Sequence, residues 1–166
     1  MIALNKISLI AFWALMMVMP ITGESQSRCD FFPMARGYIN DYEDVLSDTE
    51  ESKLTKIITK HNSKTGNEIA VVSIQSITPY SSLYQYSLDL AKCWGVGLQQ
   101  KNNGIVIVVS NKLRSVQIQT GKGLEGKLTN AEAKTIVDSI MIPSFKSKGY
   151  YDGLNNGLKE IIKELN

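Results

Sequence analysis

The side chains of this chain that could do chemistry are mostly oxygen donors. Asn102, Asn103, Glu125 and Asn130 lie beside glycine-rich turns, and Asp41 or Asp44 could join them from an acidic lead-in. Carboxylates, amides and backbone carbonyls suit hard cations such as Ca2+ or Mg2+. Each residue also has a plain structural use. Asn102-Asn103-Gly104 is a good turn sequence, Asn130 falls in the first turn of a helix, and Asp44 can be solvated. Other chemistries lack parts. His61 is the single histidine and falls on the apolar stripe of a helix, which makes it a packed or rim residue rather than a general base. There is no nucleophile elbow, no phosphate-binding P-loop and no G-x-G-x-x-G after a strand. Gly95-Val96-Gly97 lacks the third glycine and reads as a helix stop. Cys93 has no arginine six residues on, which argues against a cysteine-phosphatase loop. One histidine with two distant cysteines does not make a zinc site. Arg114 is either a structural residue or a phosphate contact.

The elements that must position these residues follow from pattern. Gly37–Leu46 is extended and acidic. Ser47 and Glu50 form a capping box, after which Leu54, Ile57, Ile58 and His61 recur at helical spacing until Gly66. Ile69–Ile74 is a continuous apolar run, the mark of a strand buried on both faces. A second helix opens at Ser81 or Ser82, carries Leu83, Tyr86, Ser87, Leu90, Ala91 and Trp94 on one side, and closes at Gly95. Ile105–Val109 is a second buried strand. Asn111–Leu113 turns it into Arg114–Thr120, a strand that alternates polar and apolar residues and so meets water on one face or edge. Thr129 and Glu132 form another capping box, and Pro143 is expected to end that helix. Leu154, Leu158, Ile161 and Leu165 give a last helix, with Gly157 expected to bring it close to the sheet.

Two buried strands joined through a helix predict a parallel pair with a right-handed crossover. The third strand adds antiparallel, giving an α/β fold: a three-layer α/β/α sandwich on a small mixed sheet. In that topology Asn102 and Asn103 face the Gly121–Glu125 loop at one end of the sheet, near the helix start at Asn130. Arg114 falls at the opposite end.

The first 25 residues read as a secretory signal. Met1–Lys6 is a short basic start, Ile7–Met19 is apolar, and Pro20–Ser25 is a small-residue zone. The apolar run is short of the ~20 residues of a bilayer span. Residues 26–36 read as a loose leader, and 37–166 as one domain with no further membrane span. Such a protein is exported, periplasmic or secreted. Cys29 and Cys93 could then form a disulfide, the alternative being two unpaired thiols with Cys93 a small buried hydrophobe. The net charge is +2 with the two signs interspersed, so no nucleic-acid footprint is present.

The ordered motifs resemble those of the TPM-domain family, named after a thylakoid-lumen protein, a photosystem II-associated lumen protein and a nematode receptor modulator. They run from Asp41 with Leu46-Ser47, through Thr65-Gly66 before Glu68–Val72, Trp94–Gly97, Asn103-Gly104, Arg114, Thr120-Gly121 and Gly123–Glu125, to Leu128-Thr129, Pro143, Tyr150-Tyr151 and Gly153-Leu154. The resemblance implies an α/β/α sandwich, a lumenal or exported location and divalent-cation binding. It also implies acid phosphatase activity for plant members, and association with assembly or repair of membrane complexes. Many members carry Asp where this chain has Asn102 and Asn130, so two negative charges are missing here. Many bacterial relatives also continue into a membrane helix and a glycine-rich tail after the point where this chain ends, so a membrane role would need a membrane-associated partner.

Three functions are therefore expected to compete. The first is an exported module that binds a divalent cation weakly and engages a membrane-associated protein. The second is a metal-assisted acid phosphatase. The third is a structural interaction domain with an empty site.

Overall fold

In chain order the elements are β1 (Ile39–Asp41), α1 (Asp48–Thr65), β2 (Glu68–Ser73), α2 (Leu83–Trp94), β3 (Gly104–Ser110), β4 (Ser115–Thr120), α3 (Asn130–Ile136), α4 (Ile142–Lys148) and α5 (Tyr150–Leu165). The protein is seen as a computed structural model that describes residues 29–97 and 100–166. The signal-like segment 1–25 lies outside the described residues. Phe31–Asn166 forms one compact unit; of the separate unit Met1–Asp30, only Cys29 and Asp30 are described.

The buried β-branched runs make the centre of the sheet. β2 and β3 pair parallel, with Glu68 opposite Gly104 and Ser73 opposite Val109. β4 returns antiparallel, with Ser110 opposite Ser115 and Ile105 opposite Thr120. Inside the extended acidic segment, Ile39–Asp41 adds a fourth strand parallel to β2, so the sheet order is β1-β2-β3-β4. Three residues, Asn40 buried between two half-buried neighbours, carry too short a pattern to announce a strand by themselves.

Side-chain alternation along the strands then divides the interior. Ile69, Val71, Ile105, Ile107, Val109 and Ile118 face Leu54 and Ile58 of α1 together with Met141, Leu154 and Leu158. Val72, Val106 and Val108 face Tyr86 and Leu90 of α2. The result is a three-layer α/β/α sandwich, with α2 alone on one side. Residues just before β1 belong to that side as well. Phe32 packs edge-on against Tyr86, with centroids 5.1 Å apart, and the Trp94 Nε1–H donates to the Pro33 carbonyl at 2.9 Å. Within the leader, Phe32 and Pro33 are therefore packed, while Phe31 and Met34 remain exposed.

The helix ends follow their sequence signals. The Glu50 carboxylate accepts the Ser47 N–H at 2.8 Å, and Gly66 closes α1 in the left-handed region at φ 74°. At α3 the Thr129 N–H donates to Glu132 at 2.8 Å. Pro143, however, does not end that helix. Val137–Met141 forms a widened π-type turn, and the chain continues as α4 with Pro143 in its first turn. Proline has no N–H to donate and its ring crowds the carbonyl four residues back. A wider turn followed by a new helix start removes both objections. The role of Gly157 also differs from expectation. A Cβ there would lie 2.7 Å from Met141 Cγ, and one at Gly153 would lie 2.1 Å from Phe145 Cδ1. These glycines bring α5 against the π-turn and α4, not against the sheet.

The two glycines should respond differently to a methyl group. Gly153→Ala drives Cβ into a half-buried aromatic ring, and urea unfolding should show a loss of about 2 kcal/mol or more. At Gly157 the obstacle is a flexible methionine, and alanine gains up to ~1 kcal/mol of helix propensity. Gly157→Ala should therefore stay within about 1 kcal/mol of the parent.

Candidate functional site

At the end of the sheet where β2 and β3 begin, four backbone segments meet. The Gly97 N–H donates to Glu68 Oε2 at 2.8 Å, and the Glu68 N–H donates to the Asn103 carbonyl at 3.1 Å. Gly121 and Gly123 donate to the carbonyls of Gly104 and Asn102, at 2.8 and 3.0 Å. Contact is so close that a Cβ at Gly104 would stand 2.1 Å from the Val96 carbonyl oxygen, and one at Gly123 would stand 1.9 Å from that of Lys101. Asn103 is buried, and its Nδ2 donates to the Gly66 carbonyl at 2.8 Å and reaches Asn67 Oδ1 at 3.3 Å. Its amide therefore ties the end of α1 to the start of β3.

The candidate ligands consequently fall in three places. Asn102, Asn103 and Glu125 do share this end. Asn130 opens α3 and lines a cleft with Tyr84, Gln117 and Lys134 beside β4. Asp41 stands at the other end of the sheet, because the register sets it beside Ser73, which pairs with Val109. This separates Asp41 from the rim to which it was assigned. Glu125 is exposed and is the one carboxylate among the three residues that share the rim. Among the described residues no group of three His, Cys, Asp or Glu side chains is placed to hold a metal ion. The rim thus offers a cation one carboxylate, that of Glu125, together with amide and carbonyl oxygens, of which the Asn102 carbonyl already accepts from Gly123.

The opposite end is held by side chains. Asp41 accepts from the Ser73 hydroxyl, from the Glu43 N–H at 3.2 Å and from the Leu46 N–H at 2.7 Å. Glu43 accepts from the N–H groups of Asn111 and Lys112 in the β3–β4 hairpin, at 2.8 and 3.2 Å. The Tyr150 hydroxyl donates to Asn111 Oδ1 at 2.9 Å. Burial pushes the Tyr150 phenol pKa up, and Glu43 adds to the rise while Arg114 opposes it. Arg114 is exposed at φ 51° and borders a cleft of about 250 Å3 between the hairpin and α4. Glu43, Asn111 and Tyr150 were missed from sequence because their partners are 39 to 69 residues away. Asn40 was missed as well. It is buried in β1, accepts the Arg36 N–H at 2.7 Å and donates to the Gly37 carbonyl at 2.8 Å.

His61 is buried in α1, with Nε2 3.3 Å from Thr65 Oγ1. Burial first, then Lys64 and Lys127, hold its pKa below 6.5. It lines a groove with Ile57, Lys60, Lys64 and Ile162, a packed histidine whose ring nitrogen faces the Thr65 hydroxyl. Neither cysteine is free: Cys29 and Cys93 are each disulfide-bonded, which removes the unpaired-thiol alternative. No helix among the described residues is long and apolar enough to cross a membrane.

A mixed four-stranded sheet between α2 on one face and α1 with α3–α5 on the other defines a three-layer α/β domain. The TPM domain matches residues 39–164, and the chain belongs to that family. Among solved structures it is similar to the N-terminal domain of a P. gingivalis protein, at 34% identity, with 77% of this chain and 81% of that one covered and a TM-score of 0.70. It shares its fold with the N-terminal domain of a Corynebacterium glutamicum protein, at 14% identity, 80% and 82% coverage and a TM-score of 0.62. The same holds for the BA42 protein of the psychrophilic bacterium Bizionia argentinensis, at 19% identity, 75% and 83% coverage and a TM-score of 0.64. No curated protein matches the chain.

Two measurements separate structural residues from available ones. Asp41→Ala removes the acceptor of three hydrogen bonds and should cost about 2–3 kcal/mol in urea unfolding, whereas Glu125→Ala, exposed, should change stability by less than about 0.5 kcal/mol. For His61 the folded pKa is lowered, so its contribution is intact above the unfolded value near 6.5 and is lost as pH falls below it. The fall in Tm between roughly pH 7.5 and pH 5.5 should be smaller in His61→Gln than in the parent.

Proposed function

We propose that this TPM domain is exported and acts by binding, with a membrane-associated protein as its partner, rather than by hydrolysis. The observation that carries the reading is the state of the rim oxygens. Of the three candidate ligands that meet there, Glu125 is the one carboxylate, and Asn103 is buried with its Nδ2 bonded to the Gly66 carbonyl. General acid-base work needs positioned carboxylates or an equivalent base, and cation affinity falls with the number of charged ligands. The rim therefore takes Ca2+ no more tightly than the millimolar range of weak extracellular sites. Export is supported by the signal pattern of residues 1–25 and by the disulfide-bonded state of both cysteines, since such bonds persist in oxidising compartments.

The phosphatase reading with Arg114 as phosphate clamp meets a geometric objection. β4 runs six residues from the Arg114 end to the Gly121 end, roughly 20 Å at strand rise. One phosphate group cannot touch both Arg114 and a cation at Glu125.

A titration of labelled protein with CaCl2, followed by NMR, tests the rim together with hydrolysis of an aryl phosphate. Shifts around Asn102 and Glu125 should appear only above about 1 mM Ca2+, and hydrolysis should equal that of Glu125→Gln. Saturation well below that concentration, or hydrolysis that Glu125→Gln abolishes, would overturn the proposal.

A further inference from the structure

We propose that the cleft at the hairpin end is a binding site for a small apolar monocarboxylate, a carboxyl group carried on a hydrophobic body. The proposal does not depend on the reading of the rim, which lies at the other end of the sheet.

The position comes first. The cleft opens where β3 ends, at Val109 and Ser110, between the hairpin and α4. Its interior is apolar: Val116, Ile142 and Phe145 line it. Its rim is cationic. Arg114 and Lys146 border it, both exposed, and neither takes part in an ion pair among the described residues. Asn111 adds an amide whose Oδ1 is held by the Tyr150 hydroxyl, which fixes the plane of the group at the mouth.

Charge and size then select the ligand. Two cations at the rim are partly offset by Glu43, whose carboxylate is spent on the Asn111 and Lys112 N–H groups and is felt at Tyr150. The mouth therefore carries net positive charge and favours an anion. A guanidinium fork pairs a planar carboxylate with two parallel hydrogen bonds. The volume of about 250 Å3 is just below the ~300–1,000 Å3 of pockets for drug-sized ligands. That leaves room for a body the size of one side chain. Such a group occurs at the C-terminus of a peptide ending in an apolar residue and in small aromatic or aliphatic acids. Arg114 supports the assignment independently. It sits at φ 51°, a conformation that costs a side-chain-bearing residue roughly 1–2 kcal/mol and that strained functional residues commonly hold.

The test is an NMR titration of the full chain with 3-phenylpropionate, with its neutral amide, and with a short peptide ending in a free phenylalanine. Shifts should be confined to residues 109–116 and 142–150, and the amide should bind at least about tenfold more weakly than the acid. Arg114→Gly relieves the backbone while removing the guanidinium, so it should be at least as stable as the parent and lose binding about tenfold or more. Arg114→Gln repeats the test with a side chain in place. Tighter binding of the peptide than of phenylpropionate assigns the site to a peptide C-terminus; the reverse order assigns it to a free acid. Equal binding of acid and amide, undiminished binding by both Arg114 variants, or no shifts at roughly 10 mM acid would overturn the proposal.

Discussion

The fold depends on one close approach of backbone to backbone, where the starts of β2 and β3 meet the loop that follows β4. Val96 and Gly97 lie on Gly104, and Lys101 and Asn102 lie on Gly121 and Gly123, at distances no Cβ would permit. The hydrogen bonds of the knot run between the same segments: Gly97 to Glu68, Glu68 to Asn103, Gly121 to Gly104, and Gly123 to Asn102. A strand slipped by one residue would exchange the side chains of its two faces. The knot prevents this by fixing Glu68 opposite Gly104 and Thr120 opposite Ile105. Asn103 completes it from below through the carbonyl of Gly66. The Asn-rich rim is thus first a register device, in which the Asn102 and Asn103 carbonyls and the Asn103 Nδ2 serve that purpose.

The two ends of the sheet are built on different principles. At the knot, backbone meets backbone at the glycines, and the side chains of Glu68 and Asn103 tie in the neighbouring segments. At the opposite end the chain is held by side chains reaching across loops: Asp41 to Ser73 and to its own turn, Glu43 to the hairpin, and Tyr150 to Asn111. Contacts made by side chains can leave a cleft between elements, as they do between the hairpin and α4. Closely packed backbone cannot. The division sets closely packed backbone at the first end and lets charge and apolar surface coexist at the second.

Much of this was legible in the sequence because it is local. The capping boxes at Ser47 and Thr129, the left-handed stops at Gly66 and Gly95, and the two doubly buried strands are short-range signals, and each is found where its pattern placed it. Membership in the TPM family was legible for the same reason, since its motifs are short and ordered. The failures lie where the outcome depends on distant partners. β1 is a strand only because β2 offers its edge. Pro143 is tolerated because the preceding turn widens and Met141 then packs under Gly157. Asp41 looked like a rim ligand until pairing with β2 carried it to the other end. No spacing rule within a single segment contains that information.

Backbone strain sharpens the contrast between turn chemistry and ligand chemistry. Three non-glycine residues take positive φ among the described residues: Asp44 at 52°, Asn102 at 48° and Arg114 at 51°. For Asp and Asn this is ordinary, because a short polar side chain can hydrogen-bond its own turn and tolerates the left-handed region. Arginine has no such compensation. Its long side chain makes no local bond that would offset the cost, and glycine would fill the same corner of the hairpin without strain. A residue that departs from local preference with no local gain points to a gain elsewhere. At Arg114 that gain is a guanidinium, outside any ion pair among the described residues, placed beside the cleft at the carboxyl end of β3.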